Sequence, residues 1–175
     1  MGTVIRVAVV CLTALLCEGA IADGVSMFKS QLPAEREATT FSAKEMSQLE
    51  RARSHFATKS VSVVEIDPAV MSANTVKANL PSGQFTLIRQ GGGPAEFPVF
   101  QPDGKILYIV HTTSWFGWTA DRMGTAAFST TDQGGSVSGS ISYMGTNYEL
   151  RGLTDRFQML IDVDRSRFSA HGEAK

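Results

Sequence analysis

His55, His111 and His171 are the only histidines, and they are the side chains best suited to hold a metal or carry a proton. Metal sites show local ligand spacing, and no two of these sit in an H-E-x-x-H pair, so no metal site is expected. His55 falls near the end of a predicted helix, where the dipole favours a cation. Asp162 and Asp164 lie two apart on a predicted strand and share a face. Such a pair suits acid–base chemistry or calcium. Arg165 and Arg167 follow at once, and surface ion pairing is the expected role. Gly91-Gly92-Gly93 runs into Pro94, which has no N–H for a phosphate, and lacks the Lys-Ser/Thr of a phosphate loop. It reads as a flexible connector. Gly134-Gly135-Ser136-Val137-Ser138-Gly139 imitates a nucleophile elbow, but valine stands where serine is required. No catalytic residue and no cofactor are expected, and the chain reads as a non-enzyme.

Trp115-Phe116-Gly117-Trp118 invites a different role. On a strand, Trp115 and Gly117 face one way, and Phe116 and Trp118 the other. One pair enters the core, and the other covers a second layer or a partner. Trp115, Phe116 and Trp118 are the candidate partner-binding residues.

The elements that must carry these residues are mostly strands. One good helix is predicted over Ser42–Phe56, opened by a Ser42/Glu45 capping box with Phe41 and Met46 as its hydrophobic staple. Met46, Leu49, Arg53 and Phe56 fall on one stripe, which makes it amphipathic. From Ser60 onward, short β-branched and alternating runs are broken by turn signals such as Asp67-Pro68, Pro81-Ser82-Gly83 and Pro102-Asp103-Gly104. Strands are predicted over 60–66, 75–80, 84–89, 106–112, 114–119, 125–130, 136–143, 146–151 and 157–163. The expected fold is mainly β, of the α+β type: an antiparallel sheet or sandwich with one N-terminal amphipathic helix.

The N-terminus reads as an export signal. Arg6 supplies the positive region, Val7–Cys17 the apolar run, and Ala20-Ile21-Ala22 the peptidase site, with cleavage between Ala22 and Asp23. The apolar run is about half the roughly 20 residues of a membrane span. Residues 1–22 are thus assigned to the signal, 23–40 to an extended lead-in, 41–169 to a single β-rich domain and 170–175 to a tail. A secreted or periplasmic location follows. Cys11 and Cys17 both leave with the signal, so disulfides and thiolate chemistry leave with them. With a net charge of −1 and no basic run, nothing points to nucleic acid or an anionic membrane.

The order of landmarks carries a resemblance. Arg51-Ala52-Arg53 leads to Val61-Ser62-Val63. Leu80-Pro81-Ser82-Gly83 precedes Phe85-Thr86-Leu87, and Ser114-Trp115-Phe116-Gly117 follows. Then come Val137-Ser138-Gly139-Ser140-Ile141, Tyr148-Glu149-Leu150-Arg151 and Ile161-Asp162-Val163-Asp164. Over Arg51 to Asp164 the chain resembles the propeptide region of secreted bacterial zinc metallopeptidases of the reprolysin-like, peptidyl-aspartate metalloendopeptidase type. The resemblance implies a β-rich domain that inhibits or chaperones a zinc metalloprotease, here in trans, because no zinc-binding helix is present. The alternatives are an exported envelope or extracellular binding module with an unrelated partner, or a truncated protease precursor.

Overall fold

A computed structural model describes residues 24–131 and 135–169 of the chain. The expected export signal, the expected cleavage between Ala22 and Asp23, the 170–175 tail and His171 lie outside the described residues.

Alternation of apolar and polar side chains writes most of the chain as strand. The elements run β1 (Val25–Ser26), β2 (Phe28–Leu32), α1 (Ala34–Thr40), α2 (Ala43–Ser54) and β3 (Thr58–Ile66). A 3₁₀ turn over Pro68–Met71 follows. Then come β4 (Thr75–Leu80), β5 (Gly83–Gly91), β6 (Pro94–Phe100), β7 (Ile106–Thr119), β8 (Gly124–Thr131), β9 (Val137–Tyr143), β10 (Thr146–Gly152), β11 (Phe157–Val163) and α3 (Ser166–Ser169). The protein is mostly β.

The strands form one sheet, in the order β1-β4-β5-β7-β8-β9-β10-β11-β3-β2, with β6 added on β7. Only Met27 separates β1 from β2, so both ends of that order are one run of chain. Val25 and Ser26 pair in parallel with Val76 and Lys77. Gln31 and Leu32 pair antiparallel with Val64 and Val63. Met27 joins the two ladders: its N–H donates to Lys77 O (2.8 Å), and its carbonyl accepts from Asp67 N (3.0 Å). The sheet is therefore mixed and nearly closed, a barrel-like body, where an antiparallel sheet or sandwich was expected. Twist accumulating over this many strands curls a sheet, and near-closure removes most of its edges. The lead-in expected over residues 23–40 is extended at first and then helical, and its strands bridge the closure, with Met27 fully buried.

Strand alternation sorts two cores. Inside the curl lie Val64, Val76, Leu87, Trp115, Phe128, Ile141, Tyr148 and Leu160, sealed by Met27 and by Val70 and Met71 of the 3₁₀ turn. Outside, Val63, Met159, Ile161 and Val163 of β3 and β11 are covered by Phe41, Leu49 and Ala57. These two strands are buried on both faces, which explains their nearly unbroken apolar sequence.

α2 starts where its capping box places it. Ser42 Oγ accepts from Glu45 N (3.4 Å), and Ser42 N donates to Glu45 Oε2 (2.7 Å). Arg51 and Arg53 occupy its last turn, where the dipole favours cations. Leu49 is its fully buried anchor, a contribution of about 1.5–3 kcal/mol. Glu37 of α1 is buried and ion-paired with Arg53 of α2 at 2.7 Å, which ties the two helices together.

Gly91–Gly93 is a shaped junction where a flexible connector was expected. β5 and β6 lie end to end along the same side of β7, and the glycines carry the chain from one to the other. Gly92 has φ +103°, and a Cβ there would sit 2.9 Å from Trp115 Cα. Ser114 N donates to Gly93 O at 3.0 Å. Only glycine fits this crossing.

Candidate functional site

β7 carries the three candidate partner-binding residues. It is 14 residues long and is a single strand where two were predicted. Its C-terminal half is a stave of the barrel wall, paired with β5 and β8. Its N-terminal half leaves the barrel and pairs with β6 alone among the described residues, as a projecting two-stranded arm.

On the wall, the Trp-Phe-Gly-Trp segment splits as alternation requires. Trp115 points inward and is fully buried. Its indole Nε1 donates to Ala73 O at 2.8 Å, and its ring lies 5.2 Å from that of Phe128. Trp115 is therefore a core residue and is withdrawn from the partner-binding set. Gly117 faces the same way, and a side chain there would overlap the Trp115 ring. Phe116 and Trp118 point outward and are 50% and 47% exposed. Ile88 of β5, opposite Trp118, is exposed as well. Beside Trp118 lies a cleft of about 310 Å³ lined by Ile88, Gln90, Thr119, Ala120 and Arg122.

The arm was not foreseen. Phe97 and Phe100 on β6, and Ile106, Leu107, Tyr108 and Ile109 on β7, are all exposed. Phe97 pairs with Val110, Pro98 with Ile109, and Val99 with Tyr108. Polar residues are few and paired. Glu96 meets His111 Nδ1 at 3.2 Å across the strands, and Asp103 meets Lys105 at 3.4 Å at the tip. The signal in the sequence was the apolar run Ile106–Val110 after Pro102-Asp103-Gly104. Pro94 and Pro98 masked its partner strand.

The remaining candidates lie apart from this face. His55 Nδ1 accepts from Ala57 N (3.3 Å), and its ring lies against Phe56 and Phe168. His55 and His111 thus serve different elements. No group of three metal-competent side chains occurs among the described residues. Asp164 Oδ1 accepts from Ser166 N (3.1 Å) and Ser166 Oγ (2.6 Å), and Asp164 also pairs with Arg167 (3.4 Å). Asp162 Oδ1 is buried without a hydrogen-bond partner. Val137, which broke the elbow motif, is a core residue at the start of β9.

A cavity of about 600 Å³ is an open hollow over β10 beside α3. Glu149, Arg151, Arg165 and Phe168 are among its lining residues. Glu149 is ion-paired with Arg151. The shifted carboxylates lie elsewhere. Hydrogen bonds from Arg156 and Ser30 hold Glu65 below its ordinary value. Thr119, Met123 N and Tyr143 do the same for Asp121, which in turn raises Tyr143. Ser166 lowers Asp164. The carboxylate shifts come from hydrogen bonds that stabilise the ionised form, and the Tyr143 shift from a hydrogen bond to Asp121 that favours the neutral phenol.

No family model, no curated protein and no solved structure matches this chain. No helix among the described residues is long and apolar enough to cross a membrane.

Proposed function

We propose that this chain is an exported, non-catalytic binding domain whose partner is a protein docked on the outward face of β7 around Phe116 and Trp118. One observation carries the reading: two large aromatic side chains stand together, with Ile88, on a rigid barrel wall whose inward face is already satisfied. Exposed aromatics on a fixed scaffold are the side chains that dominate interface energetics. The resemblance over Arg51 to Asp164 suggests the partner class, a secreted zinc metallopeptidase that the domain inhibits or helps to fold. The test is capture of secreted metallopeptidases by the full chain, with their activity assayed. Micromolar binding that slows the protease, and its loss in a Phe116→Ser/Trp118→Ser variant, is the expected outcome. A protease neither bound nor slowed would sink the reading.

A second reading is favoured by the cleft beside Trp118, where Gln90 and Arg122 adjoin the indole. An indole face with nearby polar groups suits a sugar ring of an envelope or extracellular polymer. Binding of soluble glycans, abolished by Trp118→Ala, would support it over the first.

A further inference from the structure

We infer that the cleft beside Trp118 selects saccharides that carry a carboxylate, and that Arg122 is the residue that reads it. The inference rests on the saccharide reading above and names the class of sugar within it.

Arg122 stands where the backbone does not favour it. It occupies the turn between β7 and β8 with φ +60°, a left-handed conformation that suits glycine or asparagine. The turn around it is fixed. Ala120 N donates to Thr86 O (2.8 Å), and Arg122 N donates to Thr119 O (2.8 Å). Asp121 Oδ1 accepts from Thr119 Oγ1 and from Met123 N (3.0 Å), and its Oδ2 accepts from Tyr143 Oη (2.7 Å). Both oxygens of the neighbouring carboxylate are therefore engaged by other groups. Among the described residues, no hydrogen bond or ion pair holds the Arg122 guanidinium. An arginine at a strained backbone position, with no contact inside the chain to offset the strain, points to a use outside the chain.

The rest of the cleft defines that use. Its lining is Ile88, Gln90, Trp118, Thr119, Ala120 and Arg122, which includes no carboxylate. The Arg122 guanidinium is thus an uncompensated cation within it. Such a planar fork binds a carboxylate through two parallel N–H···O bonds. The half-exposed Trp118 indole offers a flat apolar face. Gln90 offers an amide that both donates and accepts. A uronic acid ring matches all three at once. Its C–H face suits the indole, its hydroxyls suit the amide, and its carboxylate suits Arg122. The volume agrees, because about 310 Å³ lies at the small end of ligand sites, which run from roughly 300 to 1,000 Å³. That is the scale of a sugar ring, and a protein segment would need more.

The test is calorimetric titration of the full chain with oligosaccharides of galacturonate, alginate and hyaluronan, each beside its carboxyl-reduced form. At least one acidic form should bind roughly tenfold more tightly than its reduced counterpart, the gain expected of one charge-assisted pair. Added salt should shrink that gain. Arg122→Asn should bring the two forms level and leave the affinity for the reduced form unchanged. It should not lower Tm, because asparagine tolerates the left-handed backbone. An arginine with a merely structural role would do the reverse, lowering Tm and leaving the ratio alone. Equal binding of acidic and reduced forms would overturn the inference and leave the saccharide reading standing. No binding of any form would overturn both. An acid preference that persists in Arg122→Asn, or binding that persists in Trp118→Ala, would also overturn it. Capture of an acidic protein through Arg122, with no saccharide bound, would reassign the cleft to a protein partner.

Discussion

The hydroxyl of Tyr148 meets the side chain of Ser82 at 2.7 Å, although 66 residues separate them. Ser82 N also donates to that hydroxyl at 3.1 Å. Tyr148 belongs to β10, and Ser82 to the turn between β4 and β5, a pair of strands well removed from β10 in the sheet order. The bond ties opposite sides of the curl across its interior. Tyr148→Phe keeps the ring and removes the tie. It should cost about 1 kcal/mol and lower Tm by roughly 2–4 °C, as measured by thermal melting.

The two tryptophans should behave oppositely. Trp115→Ala empties a site in the inner core and strands the Ala73 carbonyl, a loss of about 3–5 kcal/mol. Trp118→Ala removes an outward side chain and should stay within about 0.5 kcal/mol of the parent. It should nevertheless weaken partner capture. Chemical denaturation beside a binding assay separates the two.

Gly117→Ala tests how tightly the wall closes over Trp115. The new Cβ would overlap the indole and lie 2.7 Å from Ile88 O, a backbone atom. Overpacking of this kind should cost about 1–3 kcal/mol. Trp115→Phe in the same chain should recover part of it, since the two sites share one contact. Equilibrium unfolding of the single and double variants measures the coupling.

Acid should loosen the protein through Asp121, Glu65 and Asp164. Each has a folded pKa below its ordinary value, so the unfolded chain binds protons first as pH falls. Their contribution is complete above the ordinary carboxylate range, near pH 4–5. It drains away as pH drops through the lowered folded values. Asp121→Asn removes one such group, so its Tm should fall less than the parent's between pH 7 and pH 3.

Much of the fold was legible because strand alternation and turn chemistry are local. The capping box at Ser42, the 3₁₀ turn after Pro68 and β11 over Phe157–Val163 all stand where short-range rules put them. The split of Trp115 from Phe116 and Trp118 followed from a period of two. Closure was not legible, because β1 and β2 become staves only through partners that fold from distant sequence. β6 was missed because Pro94 and Pro98 are edge residues, and a strand with an edge to spare tolerates prolines that a central strand does not. That β7 runs on past its β8 partner among the described residues belongs to no sequence pattern. It follows from β8 being shorter than β7.

β3 ladders to β11 from Thr58↔Val163 to Glu65↔Phe157. The strand beside β2 is therefore held in place by β11, the last strand among the described residues. A nascent chain lacking Phe157–Val163 has no way to complete the sheet, however much of its sequence has been made. Entropy lost in closing so long a loop precedes the contacts that reward it, which slows the search for the native state. This architecture delays its own folding until Phe157–Val163 has been made, and a chain so built stays threadable until then.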